Sequence, residues 1–327
     1  MKSETRNCQN CKQDFTIEPE DFNFYEKIKV SPPTFCSECR LVRRMTWRNE
    51  RTLHKVNCAV PGHSEQIISM YSPDEGCVVF DNDYWWSDKW DPLAYGIEYD
   101  FSVPFFVQFI KLFHKIPVPA LSTMNSVNSE YTNFVDGNRN CYLIFGAGFN
   151  ENVSFGSKLL SCKDSQDLLM CSRCELCYEC ESCVDCYHLF WSRNSKNCTD
   201  SYFLYNCKNC TNCFGCVNLV SKSYCIWNEQ YSKEEYFIKL NSLDIENYDS
   251  IISLKKDFVN KFYLPAIQKY ANIVASSVCT GDNISNSKNC KNCFEIYQNV
   301  EDSKYLCQAL DLKDSYDSYG LYKNELA

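Results

Sequence analysis

Four cysteines near the amino terminus stand in two pairs, Cys8-x2-Cys11 and Cys36-x2-Cys39, with 24 residues between the pairs. Thiolates so spaced match the tetrahedral, all-cysteine coordination of structural zinc. Each pair then forms a tight knuckle whose backbone N–H groups turn toward sulfur. The expectation is one Zn2+ per chain, held by Cys8, Cys11, Cys36 and Cys39. No comparable set marks catalysis, because the chain has 4 histidines and none stands beside a nucleophile in a known pattern.

The elements that must hold these thiols follow from the residues around them. FTIEPEDFNFYEKIKVSPPTF alternates enough to predict a hairpin, and RLVRRMTWRNERTLHK, without Gly or Pro, predicts a helix. Two knuckles, a hairpin and a terminal helix describe a treble clef, or a close zinc-ribbon relative, over residues 1–57. A piece this small cannot fold on its own core, so the metal is expected to stabilise it.

On that helix Arg40, Arg44, Arg48, Arg51 and Lys55 recur at spacings of three and four, with Arg43 beside them. Such a stripe can neutralise the phosphates of RNA or DNA and release their counterions. It can equally be a solvated face that pairs with acidic parts of the same chain, since charge alone carries no base-reading code. Residues 1–57 hold 11 Lys plus Arg against 8 Asp plus Glu, and the remainder holds 22 against 34. Any attraction for polyanions therefore belongs to the N-terminal piece.

Residues 58–128 read as an aromatic-rich connector. IISMYSPDEGCVVF predicts two short strands around a turn. His54, Cys58, His63 and Cys77 offer a second set of zinc ligands at irregular spacing, with isolated residues as the plainer reading. Tyr84, Trp85, Trp86 and Trp90 form either a platform for a ligand or a packed linker. VPFFVQFIKLFHKI, after Ser102, predicts a helix that is apolar nearly all round and wants burial on more than one side, as a cap over an exposed repeat edge would have. That segment is short and carries Lys111, His114 and Lys115, and the amino terminus has no apolar h-region. The expectation is a cytoplasmic protein with no membrane partner. In a reducing compartment the 24 cysteines are metal ligands, small buried groups or nucleophiles rather than disulfides.

The densest cysteine stretch, Cys171 to Cys186, reads CSRCELCYECESCVDC. Its flanks repeat the pattern in units of 9 to 15 residues, from NRNCYLIFGAGFN at Asn138 to VSKSYCIWNEQ. Inward positions alternate along a strand, whereas across a sharp corner two inward residues fall three apart, which is the C-x2-C step. Short runs with corners predict a parallel β-solenoid over 129–231. Ser232 and Glu235 form a capping box, and a second helix over Asp249 to Ala271 carries Ile251, Leu254, Phe258 and Phe262 on one face. These make a helical insertion over 232–275, after which NSKNC recurs and the solenoid resumes over 276–323 as the same body. The fold class is thus mainly β, a parallel β-solenoid with an N-terminal zinc module and inserted helices.

The motifs CxxCKxxF, PPTFCSECR, RRMTWRNERTL, IISMYSPD, WWSDKWDP and SYFLYNCKNCTNCFGCVNL resemble those of a family of cysteine-rich bacterial proteins from small-genome candidate lineages. The resemblance covers nearly the whole chain and implies a zinc-ribbon or treble-clef module joined to a β-solenoid. Members are sometimes labelled CaiB/BaiF-like, a label that implies a CoA transferase. No motif for that chemistry stands in this chain.

Two functional readings follow. In the first, the chain is a non-enzymatic binding or scaffold protein for nucleic acid, a ribonucleoprotein or a protein partner. In the second, the Cys171–Cys216 ladder stores metal or does redox work, since soft thiolates suit Zn, Cu(I) and iron–sulfur clusters. Serine at equivalent steps, such as Ser201 and Ser315, favours a packed core of reduced thiols.

Overall fold

From Thr132 to Leu168 every third residue is buried, and the residue before each of these has a positive φ. A left-handed residue bends the chain sharply, so this region advances in steps of three instead of the two of a flat strand. Gly137, Asn140, Gly146, Asn152, Asp164 and Asp167 occupy such positions, and Gly, Asn and Asp are the residues that accept them at least cost. Each strand lies parallel to the one twelve residues on, so that Tyr142 faces Ser154 and Ser154 faces Gln166. The parallel sheet curls as a result. The expected step of three is therefore present, but it runs through the strands themselves and is not confined to corners.

The computed structural model describes residues 2–46, 48–169, 180–181, 190–193 and 197–326, with the side chains of 180–181 and 190–193 excepted. The chain is mainly strand, and it divides into two units, Met1–Arg48 with Gln268–Ala327, and Asn49–Ile267. In chain order the first unit opens with an antiparallel hairpin, β1 (Glu4–Asn7) and β2 (Asp14–Ile17), then α1 (Pro19–Lys27) and α2 (Ser37–Met45). The second unit starts with the antiparallel pair β3 (His54–Asn57) and β4 (Gln66–Ser69). After β5 (Val78–Phe80) come the short α3 (Asn82–Trp85), α4 (Phe105–Phe113) and β6 (Pro117–Pro119), which runs parallel to β5. An 11-stranded sheet then extends from β7 (Thr123–Met124) to β17 (Glu229–Gln230), followed by α5 (Lys233–Ser242) and α6 (Tyr248–Phe258). A separate 7-stranded sheet between Ile273 and Glu325 completes the first unit. The strands expected to form one body thus lie in two sheets.

Side-chain ladders follow the twelve-residue step. On the outside, Asn128 donates to Asn140, Asn140 to Asn152 and Asn152 to Asp164 at 3.2, 3.0 and 2.6 Å. Inside, Asn138 Oδ1 accepts from the backbone and side chain of Asn150, whose Oδ1 accepts from Cys162 N at 2.8 Å. The buried amides are therefore satisfied, as burial requires. Between them Val135, Ile144, Val153 and Leu168 fill the core of the second unit.

Several elements differ from expectation for identifiable reasons. The stretch after Cys11 forms α1 where a hairpin is expected, because Pro19 sits in its first turn and Glu18 and Asp21 make a capping box. The hairpin lies earlier, across the first knuckle. Helix α2 stops at Met45, and Asn49 folds the chain back by bonding both N–H and C=O of Thr52. Helix α4 leaves Phe105, Phe106, Val107 and Ile110 exposed, where burial on several sides is expected. The Ser232–Glu235 box forms as expected, but α6 ends at Phe258 and passes into a π turn, Val259–Tyr263. Pro265 follows, and its ring excludes a further regular turn. Phe258 is buried and Phe262 stacks on Trp227 at 4.8 Å, so the helical face still packs on the sheet.

In the first unit α1 and α2 lie on the 7-stranded sheet. Phe24 stacks on Tyr316 with ring centroids 3.9 Å apart. Lys304 Nζ bonds both carboxylate oxygens of Asp21 at 2.8 and 2.9 Å, and both side chains are buried.

Candidate metal centre

Cys8 and Cys11 occupy the turn between β1 and β2, Cys36 is the N-cap of α2, and Cys39 lies in its first turn. Lys12, at φ 64°, closes the first knuckle with its N–H on Cys8 O at 3.0 Å. Gln9 N bonds Thr34 O at 3.0 Å and draws the two pairs together. All four Sγ atoms lie within 4.8 Å of one another, and Cys11 and Cys36 are 3.7 Å apart at sulfur. Tetrahedral sulfurs about 2.3 Å from zinc are about 3.8 Å from each other. The spacing is that of a coordination shell.

Two nitrogen donors point at sulfur. Cys36 N donates to Cys8 Sγ, and Asn10 Nδ2 to Cys39 Sγ, each at 3.3 Å. Burial works against the Cys8 thiolate, yet backbone donors of Cys36, Cys11 and Asn10 outweigh it and hold the thiol down to about 6. Burial, with crowding by the neighbouring sulfurs, pushes Cys36 up to about 12. Ionising all four together needs a cation among them. This four-cysteine group can hold a metal ion, as the spacing leads one to expect.

The basic residues do not share one helix. Arg40 is buried, donates to Asp317 at 2.8 Å and to Phe35 O at 2.7 Å, and lies over the Tyr305 ring. Arg44 reaches the same carboxylate at 3.3 Å, and Arg48 lies over Tyr319 at 4.7 Å. Arg43 is exposed on α2, while Arg51 and Lys55 fall in the second unit, Lys55 on β3. The sequence pattern places the charges on one face only if the helix continues past Met45 to Lys55, and it does not.

Of His54, Cys58, His63 and Cys77, the fold brings Cys58 and His63 together and joins them to Asp81. His54 lies on β3, and Cys77 packs beside Val79. Tyr84, Trp85 and Trp90 pack on Phe80 and Val60, the linker arrangement, with Trp86 exposed.

Among the cysteines of the ladder from Cys171 to Cys186 only Cys180 is described, by its backbone alone, and the ladder's other five lie outside the described residues. Its continuation at Cys207, Cys210, Cys213, Cys216 and Cys225 is almost fully buried as thiols. All five sulfurs donate to the carbonyl two residues before, and the first four also to a carbonyl nine residues on. Cys207 Sγ thus bonds Tyr205 O and Cys216 O at 3.5 and 3.4 Å, and Cys216 Sγ bonds Phe214 O and Cys225 O at 3.3 and 3.6 Å. Serines at the same step, Ser165, Ser201 and Ser315, make the same bond two residues back. Burial pushes the Cys141 and Cys225 thiols up. Among the described residues no three thiols of this column approach within 4.8 Å of one another.

Among the described residues no helix is long and apolar enough to cross a membrane. Compared with known proteins, the chain matches no family model, no curated protein and no solved structure.

Proposed function

We propose that this chain is a zinc-stabilised, non-enzymatic scaffold of the reduced cytoplasm. It joins a treble-clef-like module to a β-solenoid of twelve-residue turns, as in the cysteine-rich family that its motifs resemble. The observation that carries the reading is the convergence of Cys8, Cys11, Cys36 and Cys39 sulfurs within 4.8 Å, a donor set that favours zinc. The hairpin with the first knuckle and the helix with the second supply the two halves of a treble clef. The twelve-residue register and the left-handed residue at every third position support the solenoid.

The thiol column is then a packed core, with S–H groups serving as donors to backbone carbonyls. Helix α2 and the residues just after it serve mainly as an internal docking face, since Arg40 and Arg44 on the helix meet Asp317 and Tyr305, and Arg48 beyond its end meets Tyr319. The partner class this favours is protein. Metal analysis of full-length protein and of Cys36→Ser tests the centre: the variant should lose the zinc of the four-cysteine group, and unchanged zinc would remove the claim. Filter binding of RNA and DNA at low salt tests the partner class. Retention that weakens with salt and disappears in an Arg43→Ala, Arg51→Ala, Lys55→Ala variant would replace the protein partner with nucleic acid.

A further inference from the structure

The second unit contains another converging donor set. Strands β3 and β4 are joined by Cys58 to Glu65, a loop closed by Cys58 N on Glu65 O at 3.1 Å and by His63 N on Val60 O at 3.0 Å. Gly62, at φ 87°, makes the reversal that returns His63 over Cys58. Ala59 N bonds Val79 O at 2.8 Å, which brings the end of β5 beside the loop. Asp81 follows β5 and caps α3, with Oδ1 accepting from Tyr84 N at 2.9 Å. Its Oδ2 is left to face the loop.

Three different donor atoms meet there. Cys58 Sγ is 3.6 Å from His63 Nδ1 and 3.6 Å from Asp81 Oδ2, and His63 Nδ1 is 3.2 Å from Asp81 Oδ2. With Zn–S of about 2.3 Å and Zn–N or Zn–O of about 2.0–2.1 Å, tetrahedral ligands stand about 3.6 Å apart for sulfur with nitrogen or oxygen, and about 3.3 Å for nitrogen with oxygen. The observed triangle has those dimensions. Glu65 Oε1 is also 3.2 Å from His63 Nδ1.

The pattern is not that of a nucleophile relay. In a Cys–His–Asp relay the thiol and the carboxylate use opposite ring nitrogens, whereas here sulfur and both carboxylates gather at Nδ1. One ring nitrogen has at most one proton to give. A cation at the centre satisfies every lone pair at once. Cys58 is buried among Val60, Phe80, Tyr84, Trp85 and Trp90, so one wall is apolar and the Glu65 side faces water.

We infer that Cys58, His63 and Asp81 form a second divalent metal site, of the zinc class, with its fourth position taken by water or by Glu65. Mixed sulfur, nitrogen and oxygen ligands with one open position distinguish it from the closed four-cysteine centre. The site is independent of the proposed zinc at Cys8, Cys11, Cys36 and Cys39, and the test separates the two.

Full-length protein is loaded with zinc, dialysed and assayed for metal per chain, then repeated with Co2+ as a spectroscopic probe. Wild type should retain about two equivalents, and His63→Asn and Asp81→Asn about one each. Both substitutions spare the core: His63 is part-exposed, and asparagine keeps the α3 cap. Circular dichroism confirms the fold. Cys36→Ser should leave a cobalt spectrum with a weak, single-thiolate charge-transfer band, lost on adding His63→Asn. Retention of one equivalent that is lost in Cys36→Ser and unaffected by His63→Asn would overturn the second site and leave the first standing.

Discussion

The four-cysteine centre and the thiol column of the curled sheet use one residue type in opposite senses. In the first, nitrogen donors point at sulfur, Cys36 N at Cys8 and Asn10 Nδ2 at Cys39. In the second, sulfur points its proton at carbonyl oxygens, as Cys207 does toward Tyr205 and Cys216. At Cys8 the accepting sulfur has its thiol pulled down to about 6, which readies it for a metal. At Cys207 the donating sulfur is fully buried and packs like a small apolar group. Cysteine content therefore says little by itself, and the polarity of the surrounding backbone decides the chemistry.

The comparison is broken most directly by exchanging sulfur for oxygen in both places. Cys36→Ser, or chelation of wild type, should cost the first unit most of its resistance to proteolysis between Glu4 and Met45, because structural zinc contributes on the order of 10 kcal/mol or more in small modules. Mass-spectrometric mapping of cleavage sites reads this out; full protection after metal removal would show that the hairpin and helices hold without it.

A smaller effect is expected from the buried ion pair that ties α1 to its sheet. Lys304→Met leaves the Asp21 carboxylate buried and uncompensated, at a cost of about 3–5 kcal/mol in urea denaturation. If the loss is under about 1 kcal/mol, the docking of α1 rests on Phe24 and Tyr316 instead.

Cys207→Ser is the matching exchange in the column. A hydroxyl keeps the bond to Tyr205 O, as Ser201 does to Thr199 O, so the expected cost is about 1 kcal/mol with no change in bound metal. Loss of metal from this variant would make the column a ligand set.

The smallest expected effect is on pH dependence. Burial raises the folded-state pKa of Cys141 and Cys225, so above about 8.5 the unfolded chain loses protons that the folded chain keeps. Stability from these thiols is complete below that pH and declines as pH rises through the window up to the folded value. Urea midpoints of metal-loaded protein at a neutral and an alkaline pH check the sign, and a higher alkaline midpoint would refute it.

The four-cysteine group is legible in the sequence because C-x2-C is a local motif and four thiols so spaced leave few arrangements. The capping box at Ser232 is legible for the same reason. Asp81 is not legible as a neighbour of Cys58 and His63, because only the pairing of Ala59 with Val79 brings the end of β5 to the loop. Helix α1 hides because FNFY looks alternating, while Pro19, Glu20 and Asp21 make a helix start that outweighs it. The step of three is visible in CKNCTNCFGC but reads as corners, since a strand with a left-handed residue at every third position lies outside the usual alternation.

That step gives the chain something like a reading frame. In the second unit it holds without a slip from Asn125 to Asp167, so a single inserted residue there would turn every later inward side chain outward. In the first unit the frame slips and recovers. Left-handed positions fall two apart at Gly281 and Asn283, and four apart at Glu295 and Asn299. The pairing follows the count, with Ile273 facing Ile284 at eleven residues, Cys290 facing Ser303 at thirteen, and Val300 facing Leu312 back at twelve. The count of residues per turn thus changes at those two bends and stays constant from Asn125 to Asp167, which makes the bends the first places for an engineer to try grafting a loop.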